Sequence, residues 1–124
     1  MMWPDYCIRG SEGARYHNLL QLGKDDIEVQ IGTNPASETL SAFGNKKEKT
    51  NLRQVLEKLQ VRQLYFIGFA FDYCVCYSAC DGAKNGFESF VIKDATLSIN
   101  PDDESLVNTQ YKTNGVKIIN IGDL

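Results

Sequence analysis

Residues 63–74, QLYFIGFAFDYC, join a nearly continuous apolar run to a short turn that ends in a cysteine. The run over residues 63–70 has the length of a strand, and its lack of alternation predicts a strand covered on both faces. The small and apolar residues from Cys74 to Lys84 predict a buried helix that Gly86 can close. The pattern therefore predicts a central strand with Cys74 at its turn into a helix.

Strand and helix signals alternate on both sides of this segment. Residues 27–31 (IEVQI) alternate apolar and polar side chains, which predicts a strand that Gly32 ends. Residues 52–59 place leucine and valine at helical spacing, and Thr50 or Asn51 can cap that helix. Residues 87–92 and 116–121 predict two further strands, and between them a helix begins at the acidic residues after Pro101.

The resulting order, β-α-β-α-β-α-β, predicts the fold class. Such alternation is typical of parallel strands joined by right-handed helical crossovers, and it predicts an α/β, three-layer α/β/α fold with a doubly wound parallel sheet. A length of 124 residues suits a single domain over residues 1–124. Ligands in such sheets bind at the carboxyl ends of strands. Cys74 follows one such end.

Composition narrows the classes of partner. The chain carries a formal charge of −3 and a pI of about 5.1, so it lacks the field that holds a nucleic acid or an anionic membrane. It has no apolar run of transmembrane length and no basic, apolar leader, so we expect a cytoplasmic protein with no membrane partner. In that compartment its cysteines are expected as thiols; they are Cys7, Cys74, Cys76 and Cys80.

Cys74 is the candidate nucleophile. At a helix N-terminus, unpaired N–H groups and the helix dipole stabilise a thiolate, which predicts a lowered pKa. The same N–H groups can stabilise an oxyanion when a thiolate attacks a carbonyl. On geometry alone, a small buried hydrophobic residue at a helix start is an equally good interpretation.

Several motifs carry a resemblance to a known family. The segment GFAFDYCV over residues 68–75 resembles the nucleophile segment of the isochorismatase-like cysteine hydrolases, and the nicotinamidases are the group it resembles best. The resemblance runs nearly end to end and covers the C-terminal two-thirds of the family's domain. The other matching segments are WPDYC at 3–7, Gly10, Gly13-Ala14, His17, SAF at 41–43, DA at 94–95 and GVKII at 115–119.

The resemblance implies a reaction and a site. Nicotinamidases hydrolyse nicotinamide, a small amide of NAD salvage, to nicotinic acid and ammonia through a thioester. By similarity Cys74 is the nucleophile, and the backbone N–H groups of Ala70 and Cys74 form the oxyanion hole. The family also implies a cis peptide bond between Phe69 and Ala70. Trp3 and Tyr73 are expected to line the pyridine pocket.

The sequence also departs from the family. The family's N-terminal aspartate, strand and helix have no counterpart, and Ile31 occupies the position of its lysine. The complete family site binds a divalent metal such as zinc, but Tyr6 replaces the one ligand position present, so we expect no cofactor on this chain. Phe71 replaces the usual threonine. These changes predict an incomplete or impaired hydrolase, or alternatively a non-catalytic binding or partner protein, and uncovered sheet surface predicts a homo-oligomer.

Three other groups have two interpretations each. The single histidine, His17, is either a base for Cys74 or a structural residue, and the resemblance favours the structural role. Cys76 and Cys80, four residues apart on a helix, are either metal ligands together with Cys74 or free buried thiols. Asp72 is predicted to cap the helix that follows it; the alternative is a replacement base.

Overall fold

The computed structural model describes residues 3–124. In chain order these residues form α1 (Leu52–Lys58), β1 (Gln63–Phe69), α2 (Cys74–Lys84), β2 (Glu88–Leu97), α3 (Glu104–Thr113) and β3 (Lys117–Ile119). Short 3-10 turns occur at Glu12–Ala14, Pro101–Asp103 and Ile121–Asp123. The strands form one parallel sheet in the order β1-β2-β3, which confirms the predicted α/β class.

The register of the sheet places β2 at its centre. On one side Gln63 to Phe66 of β1 pair with Glu88 to Val91, and the register then shifts so that Gly68 lies opposite Thr96. On the other side, residues 90–92 pair with all three residues of β3. Because β1 has a single neighbour among the described residues, its outer edge is unpaired.

The core lies between the sheet and two helices. Helix α2 packs on β1 and β2, and α3 packs on α2 and β3. Close packing of α2 depends on Gly82, since a Cβ there would lie 2.9 Å from Ser89 Oγ and 3.1 Å from Leu64 Cδ1. Tyr111 of α3 is fully buried, and its hydroxyl donates a hydrogen bond to the carbonyl of Phe71. The packing of α2 and α3 and this hydrogen bond therefore fix the position of the turn that follows β1.

The other face of the sheet is open within residues 3–124. Along β1 the side chains alternate between exposed and half-buried, and Tyr65, Ile67 and Phe69 are on the exposed side. Tyr65 stacks on Phe90 of β2 at a centroid separation of 4.8 Å. In the described chain the strand is thus covered on one face only, which differs from the two-sided burial that its unbroken apolar run predicts.

The predicted strand over residues 27–31 is wrong. The structure has no strand there, and Ile27 is 57% exposed. The side chain of Glu28 instead accepts hydrogen bonds from Tyr16 and from Gln30. A strand exists only where a neighbour supplies the ladder of hydrogen bonds, and no described segment pairs with these residues. The other predicted elements are confirmed, with β2 longer than expected and β3 shorter.

No helix within residues 3–124 has the length and apolar character that crossing a bilayer requires.

Candidate active site

Cys74 lies at the junction that the sequence pattern predicts. Strand β1 ends at Phe69, residues 70–73 form a turn, and Cys74 is the first residue of α2. Its side chain is half-buried, while Cys76 and Cys80 are buried in the core and Cys7 is exposed. Cys74 is therefore the one thiol of the described chain that is both positioned at the carboxyl end of a strand and within reach of solvent.

The turn before Cys74 leaves two backbone donors free. The peptide bond between Phe69 and Ala70 is cis, as the resemblance implies. The carbonyl of Ala70 accepts hydrogen bonds from the N–H groups of Tyr73 and Val75, each at 3.1 Å. Among residues 3–124, no acceptor is bonded to the N–H groups of Ala70 and Cys74. Their proposed role in an oxyanion hole stays a prediction that this geometry permits.

Asp72 anchors the turn to a distant segment. Its carboxylate accepts hydrogen bonds from the N–H of Ile99 at 2.9 Å and from the N–H of Asn100 at 2.7 Å. The predicted role as a cap of α2 is therefore wrong, because the residue before that helix is Tyr73 and no side chain caps it. Since both carboxylate oxygens are engaged, Asp72 is also a poor replacement base.

The structure brings Trp3 and Tyr73 together. Their rings meet edge to face at a centroid separation of 5.2 Å. The Tyr73 hydroxyl accepts a hydrogen bond from Asn100 Nδ2 at 3.0 Å, and the Trp3 indole N–H donates to Glu38 Oε1 at 2.9 Å. The two aromatic rings therefore form a wall at the turn that precedes Cys74, although a role in substrate binding stays a prediction.

Sequence reasoning missed Glu38. It lies in the stretch that reads as polar loop, 35 residues from the tryptophan whose indole it binds. The single available signal was its position three residues before the motif SAF at 41–43. Nothing in the local pattern distinguishes it from the other exposed acidic side chains.

The pKa of Cys74 is raised, so the prediction of a lowered pKa is wrong. Burial of the thiol is the main cause, and the negative charge of Glu38 adds to it. Both effects favour the protonated form over the thiolate. Ile31, at the family's lysine position, supplies no cation to reverse them. In this chain Cys74 is mainly a thiol at neutral pH.

The other candidates do not join this site. Ile31 lines a separate cavity of about 710 Å³ together with Arg9, Arg15 and Tyr16. His17 is exposed, and its Nδ1 accepts a hydrogen bond from the N–H of Leu19 at 3.1 Å. This local bond favours the structural interpretation of the histidine over that of a base for Cys74.

The donor set does not fit the metal that the family implies. Residues 3–124 bring together no group of three or more His, Cys, Asp or Glu side chains that could hold an ion. Tyr6, at the family's histidine position, is 64% exposed. Interaction with the Cys76 thiol lowers the pKa of Cys80, but no further ligand among residues 3–124 joins this pair. No catalytic step is therefore assigned to a metal.

Comparison with known proteins settles the family. Residues 2–123 match the profile of the isochorismatase domain. The chain belongs to the isochorismatase family. Among curated relatives, the nicotinamidase of Escherichia coli is 30% identical over 125 residues, covering 98% of this chain and 59% of its own length. The nicotinamidase/pyrazinamidase of Mycobacterium tuberculosis is 27% identical and covers 94% of this chain.

Solved structures of this isochorismatase family agree with the fold. PnC1 from L. infantum, determined in complex with nicotinate, superposes with a TM-score of 0.92 at 27% identity and covers 98% of this chain and 62% of its own. The pyrazinamidase of Pyrococcus horikoshii, determined in complex with zinc, gives a TM-score of 0.86 at 32% identity, over 97% of this chain and 64% of its own. The chain thus spans about three-fifths of the length of the relatives it matches.

Proposed function

We propose that this chain forms the nucleophile-bearing part of a nicotinamidase-type amidohydrolase. The observation that carries the proposal is the placement of Cys74 at the first turn of α2, after the carboxyl end of β1 and directly after Tyr73 of the Trp3–Tyr73 wall. Similarity to nicotinamidases along almost the whole chain supports nicotinamide as the substrate.

The proposed reaction passes through a thioester. The Cys74 sulfur attacks the amide carbon, and the N–H groups of Ala70 and Cys74 stabilise the oxyanion that forms. The proton lost by the thiol passes to the amide nitrogen, the carbon–nitrogen bond breaks and ammonia leaves. Water then hydrolyses the thioester, which gives nicotinic acid and restores the Cys74 thiol. No cation of the described chain contributes to the pKa of Cys74, and its raised pKa predicts slow turnover by these residues alone.

Ammonia release from nicotinamide tests this proposal. We expect release by the wild-type chain, a large loss in Cys74→Ala, and little loss in Cys7→Ala, the matched removal of an exposed thiol. Equal rates for the wild type and Cys74→Ala would exclude catalysis by Cys74.

A non-catalytic binding protein is the second candidate. The raised pKa of Cys74 and the isoleucine at position 31 favour it, because a protonated thiol without a base is a weak nucleophile. This candidate predicts that nicotinamide quenches Trp3 emission equally in the wild type and in Cys74→Ala while neither releases ammonia.

We further propose that the chain forms a homo-oligomer through the open edge of β1. Residues 63–69 carry no charged side chain, so two copies can pair there without like charges opposing, and the exposed Ile67 and Phe69 would lie beside the same residues of the partner strand. Light scattering after size exclusion should show an oligomer that Ile67→Glu dissociates. A wild-type monomer would contradict this.

The four free thiols support a cytoplasmic location.

A further inference from the structure

Glu38 is linked to the nucleophile through two aromatic rings. Its Oε1 accepts the indole N–H of Trp3 at 2.9 Å. The indole meets the ring of Tyr73 edge to face at 5.2 Å, and Tyr73 immediately precedes Cys74. An exposed loop carboxylate therefore fixes one end of the aromatic wall, and Tyr73, held by Asn100, fixes the other.

The charge of Glu38 also acts on the site. Through Trp3 and Tyr73 its carboxylate is connected to the residue before the nucleophile, and it is the one charged group among the described residues that contributes to the raised pKa of Cys74. The ion pairs of the described chain are Arg53–Glu57, Lys93–Glu104 and Lys117–Glu88, so none of them neutralises Glu38. The residue before Cys74 is thus in contact with an aromatic ring whose hydrogen-bond acceptor is a carboxylate that none of these ion pairs neutralises.

We propose that Glu38 is a positioning and specificity-determining residue of the Cys74 site: it holds Trp3 against Tyr73, and its charge disfavours anionic molecules beside the sulfur. Neutral or cationic planar molecules are favoured there, because aromatic faces accept them and no like charge opposes them. If the proposed function holds, the neutral amide enters readily, whereas the carboxylate product meets a like charge that promotes its release.

Two substitutions separate the roles of Glu38. Glu38→Gln removes the charge but keeps an oxygen that can accept the indole hydrogen bond, whereas Glu38→Ala removes both. Glu57→Gln, on the exposed face of α1, is the matched loss of one negative charge away from Trp3. Thermal unfolding of each variant verifies that it is folded.

The charge is tested with a pair of alkylating reagents of nearly equal size. Neutral iodoacetamide and anionic iodoacetate both transfer their carbon to the thiolate and release iodide, so the ratio of their rates at one pH cancels the thiolate fraction. Quantified on the Cys74 peptide by mass spectrometry, the rate with iodoacetate relative to iodoacetamide should rise roughly two- to fivefold in Glu38→Gln, the size expected for one partly screened charge. It should not change in Glu57→Gln.

The positioning role is tested with fluorescence, since the chain contains a single tryptophan. Emission of Trp3 should be unchanged in Glu38→Gln. In Glu38→Ala it should shift to longer wavelength and become more accessible to acrylamide, because the indole loses its acceptor.

These readouts need no turnover, so they separate this proposal from the proposed function. A reagent ratio that is the same in the wild type and Glu38→Gln would overturn the charge role, and unchanged Trp3 emission in Glu38→Ala would overturn the positioning role. Absence of ammonia release together with the expected alkylation and fluorescence results would refute the proposed amidase alone.

Discussion

Asp72→Ala should destabilise the protein more than loss of any exposed carboxylate. Asp72 is 9% exposed, and its two oxygens accept the N–H groups of Ile99 and Asn100 at 2.9 and 2.7 Å. Hydrogen bonds to a charged group contribute about 1.5–3 kcal/mol each when buried. Because the site is only partly closed to water, we expect a total loss of about 2–4 kcal/mol in the free energy of unfolding.

Urea unfolding followed by circular dichroism measures this loss. Asp94→Ala is the control, because Asp94 is exposed and accepts a single N–H, that of Ile121, at 2.9 Å. Its loss should cost about 0.5–1 kcal/mol. Asp72→Asn should lie between the two, since its amide can accept one N–H but turns a donor towards the other. If Asp72→Ala costs no more than Asp94→Ala, the anchoring role assigned to Asp72 is wrong.

Three further predictions concern packing and pH. Gly82→Ala should lower the free energy of unfolding by about 1–3 kcal/mol, because the new Cβ would lie 2.9 Å from Ser89 Oγ. Gly13→Ala is the control: the nearest atom to its new Cβ would be 3.8 Å away, so the same urea assay should show almost no change. Tyr111→Phe should lower the free energy of unfolding by about 1–3 kcal/mol, because the carbonyl of Phe71 loses its buried hydrogen-bond donor. A thermal midpoint equal to that of the wild type would contradict this prediction. The pKa of Glu48 lies below its ordinary value of 4.5. Burial raises this pKa, but hydrogen bonds from the N–H groups of Asn34, Gly32 and Thr33 lower it by more. A carboxyl group whose pKa is lower in the folded state stabilises the protein above its unfolded-state pKa, and this stability is lost as the pH falls through its folded-state pKa. Below about pH 4.5 the free energy of unfolding should therefore fall less steeply with pH in Glu48→Gln than in the wild type.

Elements that depend on local pattern were predictable from the sequence. Helix α2 occupies the predicted residues, and β1 begins and ends within a residue of its apolar run. The spacing of apolar residues, the glycines that end an element and the acidic residues in the first turn of a helix can all be read within about ten neighbouring positions. The position of Cys74 follows from two such elements meeting, which is why the junction could be placed without coordinates.

Features that depend on distant partners were not predictable. Residues 27–31 have the alternation of a strand, yet alternation does not show whether a neighbouring strand is present to pair with them. An unbroken apolar run likewise does not show that Ile67 and Phe69 are uncovered. The partners of Asp72 lie 27 and 28 residues away, and the partner of Glu38 lies 35 residues away. Local pattern carries no information at those separations.

The site therefore has the backbone geometry that presents a cysteine nucleophile, but it lacks the charges that would lower the pKa of the thiol. Phe71 donates its N–H to Leu97 at 2.9 Å, and its carbonyl accepts the Tyr111 hydroxyl, so the turn before Cys74 is held by both a strand and a helix. Backbone donors and packing of this kind are properties of the fold, and they persist as long as the core does. A lowered thiol pKa, by contrast, requires groups that favour the thiolate strongly enough to exceed the effect of burial. Burial and the negative charge of Glu38 instead raise the pKa of Cys74, so the sulfur that this turn presents stays protonated.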